Sequence, residues 1–395
     1  MATADPIPVQ SSASTRPAAS LLVMVAAMPH EQFESLLAKL AAAFASDSML
    51  VATQNEFSSN SFPALRVIPA PPTNAAWIST AADFVHASQI AQDENLRAVL
   101  MLGPGGSLTA SALRYLANAV LSSGVDLAVP RYTLPPNAGL INSAILYPLT
   151  RALFATRIRF PQAIDMGLSL RMSERLAAAA QRFTSANQPD SLVWPVNEAV
   201  VAGYAMDEYD VGQRALPQPA ETDVNAILSL VTGSLFADIE AKATVWQRAR
   251  RLPPPRTIPD EPPHADGSAE VARMVESFRF AYTNLQEIWS LVLPPNSLLG
   301  LKRLSATDPA AFRMPETLWA RIVYDFLIAF RLRTINRGHL LGALIPLYLA
   351  WVAGHINITA AGSSSEKHIE AVAAAFEADK PYMVSRWRWP DRFNS

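Results

Sequence analysis

Any chemistry in this chain must come from a short list of residues. Arg131 and Tyr132 end the apolar run DLAVPRY (126–132), Asn142 and Arg151 follow, and Asp165 and Gly167 share one loop segment. A carboxylate such as Asp165 can accept hydrogen bonds from hydroxyl groups, and Arg131 or Arg151 can grip a phosphate through the planar fork of its guanidinium. The same side chains have structural uses. Asp165 can cap or brace its loop, and Arg151 can pair across a sheet edge. Both readings stand at this level. The glycine loop GPGG (103–106) lies between an apolar run and a helical pattern. There a backbone can pass close to a phosphate at a helix N-terminus. The loop has no lysine, which favours a plain turn.

Familiar chemical signatures are missing. The chain has no P-loop, no dinucleotide GxGxxG, no HExxH and no G-x-S-x-G elbow. Its histidines (His30, His86, His264, His339, His355 and His368) show no ligand spacing, and there is no cysteine for a disulfide or a thiolate metal site. With 32 Lys+Arg against 34 Asp+Glu the net charge is -2, which leaves no field of one sign to hold nucleic acid or an anionic membrane.

These residues need elements to position them, and 395 residues with 50% hydrophobic content can bury a sizeable core. Residues 1–19, rich in Ala, Ser, Thr and Pro, read as a disordered tail. Short apolar runs then alternate with helical periods. Strands are expected at 21–27, 49–53, 65–69, 97–102 and 126–132. Helices are expected after the first strand, with Phe33, Leu36, Leu37, Leu40 and Phe44 on one face, then through 76–91, and over 107–122 with Ser107 or Thr109 as cap. This alternation implies a parallel α/β sheet covered on both faces. From about residue 224 the strong periods are helical: 224–251, 268–291, 316–332, 338–357 and 365–377, with a Pro-rich loop at 252–267. The division is an α/β domain over 20–223 and a helical C-terminal region over 224–395. Two apolar runs imitate membrane segments. Residues 18–28 have one basic residue before them and no clean cleavage site after them, so a buried first strand is expected. Residues 339–356 contain Pro346 and closely follow Arg331, Arg333 and Arg337, so a buried helix is expected.

Three stretches together resemble the bacterial GT-A glycosyltransferases of the glucosylglycerate and mannosylglycerate synthase type. They are DLAVPRYTLPPNAGLINSAILYPLTRALFATRIRFPQAIDMG (126–167), NAILSLVTGSLFADIEAKATVW (225–246), and a C-terminal set over 318–387 that includes LWARIVYDFLIAFR, HLLGALIPLYL and KPYMVSRW. YPLTRAL (147–153) is the most specific, and the likeness extends weakly back to about residue 20. It implies a GT-A-like mixed sheet with flanking helices and a helical C-terminal extension. It also implies retaining transfer of a sugar from a nucleotide-diphospho-sugar to a small acceptor. Such transfer must neutralise a departing diphosphate. The family does so with an Asp-x-Asp at a strand end, a distant histidine completing the metal shell, and an acid near the reacting sugar.

This sequence departs from that pattern at all three places. The Asp-x-Asp position reads Leu102-Gly103-Pro104, the acid falls at Leu192 or Val193 before Trp194, and the histidine falls at Leu216 within VGQRALPQ (211–218). No Asp, Glu or His lies within two residues of the first or third place, and Asp190 is the nearest acid to the second. The divalent metal the resemblance implies has therefore lost its ligands, and no cofactor is expected. Three functions compete: a metal-independent glycosyltransferase with arginines in the cation's place, an inactive homologue that binds a nucleotide-sugar or pairs with an intact paralogue, and a structural or assembly protein. Candidate partners are thus a nucleotide-sugar, a second copy of the chain or a paralogue. No nucleic acid and no membrane span are expected, and the expected location is cytoplasmic.

Overall fold

The runs LLVMV and AVLML have no polar face, so each can be stable only as a strand covered on both sides. They form β1 (Leu21–Val25) and β4 (Ala98–Leu102), hydrogen-bonded side by side in parallel and buried along their whole lengths. The chain is seen in a computed structural model that describes residues 20–45, 48–57, 62, 65–72, 77–105, 107–135, 137–216, 223–248 and 268–390. The expected tail at 1–19 and the Pro-rich loop at 252–267 lie outside the described residues.

Beside β1 run β2 (Met49–Thr53) and then the edge strand β3 (Arg66–Pro69), both parallel to it. Beyond β4 lie β6 (Met166–Ser169), β5 (Leu127–Thr133) and β7 (Met206–Gln213), giving the order β3-β2-β1-β4-β6-β5-β7. The alternation of elements suggests an all-parallel sheet, and here the structure differs: β6 is antiparallel to both β4 and β5. The sheet is the GT-A-like mixed one. At Gly167 in β6 a Cβ would come within 2.6 Å of the Leu116 carbonyl oxygen, so helix α3 can approach the sheet only over a glycine. The edge strands are the polar ones, with Asp207, Glu208 and Asp210 on β7 and Pro69 ending β3, as unpaired edges require.

The covering helices are α1 (His30–Ala43), α2 (Ala81–Asp93), α3 (Ala110–Ser122), α4 (Tyr147–Phe154), α5 (Leu170–Thr184) and α6 (Pro195–Ala202). Two start later than the periodicity suggests. Helix α2 begins at 81, not 76, because the Asp83 carboxylate accepts from the Thr80 amide at 2.7 Å and fixes the first turn there. Helix α3 begins at Ala110 because the Thr109 hydroxyl caps the Ala112 amide at 3.2 Å. A π-helical turn, Asn142–Leu146, runs directly into α4.

The described residues of the C-terminal part form helices and short connections: α7 (Val224–Ala241), α8 (Ala243–Trp246), α9 (Ser268–Asn284), α10 (Gln286–Val292), α11 (Pro295–Ser305), α12 (Glu316–Leu332), α13 (Arg337–Ala360) and α14 (Ser365–Arg388). The helix expected over 224–251 breaks at Lys242, and that expected over 365–377 continues to Arg388. One apolar core fills the sheet and its helices; a second joins α4 to α7 and α9–α14. Among the described residues, α7 and α13 are long and apolar enough to cross a membrane, with 44% and 61% of their apolar windows buried inside the protein. Helix α13 packs against α7, α9, α12 and α14, the buried position expected for 339–356.

Candidate functional site

In an open α/β sheet ligands bind outside the carboxyl ends of the strands. Here that edge is organised around Asp165, in the loop that enters β6. Its carboxylate is fully buried and surrounded by donors. Oδ1 accepts from the Gly103 amide at 3.0 Å and from Arg214 Nη2 at 3.1 Å. Oδ2 accepts from the Tyr132 hydroxyl at 2.9 Å and from Arg214 Nε at 3.0 Å. The Tyr132 hydroxyl also accepts from the Asp165 amide at 3.1 Å. Burial pushes the Asp165 carboxyl up, against the pull of the Arg214 guanidinium and the hydrogen bonds of Tyr132 and Gly103. Burial, with the neighbouring carboxylate, also drives the Tyr132 phenol well above its ordinary value. Neither group is presented to solvent as an acid or base.

Arg214 is the residue that sequence reasoning missed. It follows β7 in the segment that the resemblance assigns to the metal-binding histidine, and its side chain is 1% exposed. Besides both Asp165 oxygens, it donates to the Gly103 carbonyl and to the Ser107 hydroxyl, each at 3.3 Å. That segment therefore does return to the end of β4, bringing a guanidinium instead of an imidazole. Leu216, two residues on, lines a cavity instead. The signal was a lone cation in VGQRALPQ, an otherwise uncharged stretch.

The residues at the strand end do not fit a divalent ion. Leu102 is 3% exposed in the core, a Cβ on Gly103 would meet Ile164 at 3.0 Å, and Pro104 carries no donor atom. No group of three or more His, Cys, Asp or Glu is placed to hold a metal among the described residues. The Gly103 carbonyl, an oxygen that could face an ion, already accepts from the Arg214 guanidinium. The cavity at the ends of β1 and β4, lined by Val25, Ala26, Leu102 and Gly103, measures about 30 Å³, room for a water and not for a nucleotide. Leu192 is buried in the helical core, and the Trp194 indole donates to Ser234 Oγ at 3.1 Å. Nearby, Glu198 is bound by Arg175 at 2.8 Å and Lys242 at 2.9 Å. Although burial opposes ionisation, those two cations hold the Glu198 carboxyl below its ordinary range.

The arginines face helix α14. Glu366, Glu370 and Glu377 recur on one side of it, and the α/β part meets them with cations. Arg151 donates to Glu370 and, through Nε, to Glu377 at 2.5 Å. Arg159 pairs with Glu366 at 2.9 Å, and Arg131 reaches the same carboxylate at 3.8 Å. The Tyr147 hydroxyl donates to Glu370 at 2.5 Å. Asn142 donates to the Arg159 carbonyl at 3.0 Å. Of the expected site residues, the fold thus brings Tyr132 and Asp165 together, seats Arg131 and Arg151 against α14, and sets Gly167 inside the sheet.

A further pairing joins two helices. His355 Nδ1 of α13 and His368 Nδ1 of α14 lie 2.7 Å apart in the interior, so one ring donates and the other accepts, and both rings stack on Trp351. Burial pulls His368 down to about 4, with Arg313 adding to the effect and Glu316 opposing it.

Together the strand order, the single antiparallel strand and the helical extension define a GT-A-like α/β fold. No family model and no curated protein matches the chain. Among solved structures, a mycobacterial protein is 13% identical over 64% of this chain and 81% of its own, with a TM-score of 0.37. Glucosyl-3-phosphoglycerate synthase from Mycobacterium tuberculosis, in complex with Mn2+, UDP-glucose and phosphoglyceric acid, is 12% identical over 55% of this chain and 79% of its own, with a TM-score of 0.36. A second structure of the M. tuberculosis glucosyl-3-phosphoglycerate synthase is 12% identical over 56% of this chain and 81% of its own, with a TM-score of 0.34. At these values the fold rests on the chain's own topology.

Proposed function

We propose that this chain is a GT-A-like protein of glycosyltransferase descent whose transfer centre has become a structural ion pair, so that it works as a non-catalytic binding or partner protein. One observation carries the reading: the Arg214 guanidinium is fixed by Asp165 and the Gly103 carbonyl beside the place where paired carboxylates would hold a metal. A metal-independent transferase with arginines in the cation's place is less well supported. Arg214 is spent on protein groups and is 1% exposed, while Arg131, Arg151 and Arg159 face carboxylates of α14. A departing diphosphate would have to displace those carboxylates to gain a countercharge. A cytoplasmic location accords with the same reading.

Isothermal titration with a panel of nucleotide-sugars, in manganese and in chelator, tests it. The expected result is no manganese-dependent binding. A gain of about tenfold with manganese, about 1.4 kcal/mol, would overturn the reading.

A further inference from the structure

Between the carboxyl edge of the sheet and the helical extension lies a cavity of about 490 Å³, a size that suits a drug-sized organic molecule. Ile227 and Val231 of α7, Met274 of α9, and Leu349, Val352 and Ile356 of α13 form its helical wall. Tyr132 and Phe160, ring centroids 4.9 Å apart, line the side towards the sheet.

Two polar groups in this apolar surround lack partners. Gln162 lines the cavity, and both its amide nitrogen and its amide oxygen are buried with no hydrogen bond. Tyr348, 4% exposed, also lines it, and its hydroxyl has no hydrogen-bond partner among the described residues. Leaving a buried amide unsatisfied forfeits its hydration with nothing in return, and an orphan of this kind calls for a missing partner. Charge narrows the class of that partner. Glu270 is the one charged residue lining the cavity among the described residues. The neighbouring cations are engaged elsewhere, Arg214 by Asp165 and Arg131 and Arg159 by Glu366. An anion entering here would lose its hydration and meet no free countercharge among the described residues.

We propose that this cavity binds a neutral amphiphile: an apolar body carrying one uncharged group that both donates and accepts hydrogen bonds, met by the Tyr348 hydroxyl and by the Gln162 amide once it turns out of its buried position. The cavity adjoins the transfer centre and shares Tyr132 with it, but its test uses neither metal nor nucleotide-sugar, so the two readings can fail separately.

The neutral fluorophore N-phenyl-1-naphthylamine serves as probe, with 1-decanol and decanoate as competitors of equal chain length. Saturable probe binding is expected, with 1-decanol displacing it at concentrations about tenfold lower than decanoate. Val352→Phe, which fills the helical wall, should lose probe binding about tenfold while keeping its far-UV spectrum. Gln162→Leu should bind the probe within about twofold of the parent but need about threefold more 1-decanol for displacement. Unsaturable probe binding, decanoate competing as well as 1-decanol, or a folded Val352→Phe variant that binds normally would each overturn the proposal. If Val352→Phe does not fold, the Gln162→Leu result and the competitor ratio decide.

Discussion

Replacing Arg214 by methionine separates a structural guanidinium from a functional one. The substitution deletes two hydrogen bonds to Asp165, at 3.0 and 3.1 Å, and two longer ones to the Gly103 carbonyl and the Ser107 hydroxyl. Asp165 keeps only the Gly103 amide and the Tyr132 hydroxyl as donors, in a site with no solvent access. Breaking a buried ion pair from one side costs about 3–5 kcal/mol, because the remaining charge is left uncompensated. Against a typical stability of about 5–15 kcal/mol that is a large loss. The Asp165→Leu/Arg214→Met double variant should recover much of it, giving a coupling energy of about 2 kcal/mol or more. The pH dependence has a definite sign. Burial already raises the Asp165 carboxyl, and removing the cation raises it further, so the folded variant binds a proton more readily than the unfolded chain. Stability then falls as pH rises and recovers on acidification, so the deficit of Arg214→Met should shrink towards low pH. Urea unfolding followed by far-UV dichroism at neutral and mildly acid pH measures each quantity. A loss under about 1 kcal/mol from Arg214→Met alone would refute the reasoning, because a guanidinium that can be removed so cheaply is available for a ligand.

Three further outcomes are expected. His368, held near 4 in the fold against 6.5 unperturbed, stays neutral while the unfolded chain takes up a proton. Stability present above pH 6.5 should therefore fall by about 3 kcal/mol on acidification towards 4. A His368→Phe variant should flatten that slope, and an unchanged slope would show that other groups govern it. Leu102→Asp with Pro104→Asp should give no sugar transfer to glycerate-like acceptors, because the Leu102 side chain is buried in the core and the acid and histidine that the resemblance implies are still missing; measurable transfer would disprove the placement at Leu102-Gly103-Pro104. Finally, with α13 packed on four other helices, the chain should fractionate without detergent, and recovery only in detergent extracts would contradict its assignment as a core helix.

What was legible in the sequence follows from which interactions are local. The runs at β1, β2 and β4 are apolar on both faces and were readable as buried strands. Thr109 caps its own helix and was readable as a cap. By contrast β6 is MGLS, four residues that become a strand only because β4 and β5 leave a gap between them, and β7 is MDEYDVGQ, whose polarity marks an edge and hides the strand. The site divides in the same way. Asp165 and Tyr132 were readable as chemically capable residues, but their meeting spans 33 positions, and the Arg214–Asp165 pair spans 49. A search for carboxylates and imidazoles passes over a cation such as Arg214. That substitution explains why three absences coexist with an ordered strand edge. A metal site that merely decayed would leave Asp165 as a buried, unpaired carboxylate, which folded proteins rarely tolerate. With Arg214 in place the carboxylate is satisfied on both oxygens, and the strand end is held without an ion. On the reading proposed above, the centre has been replaced more than eroded.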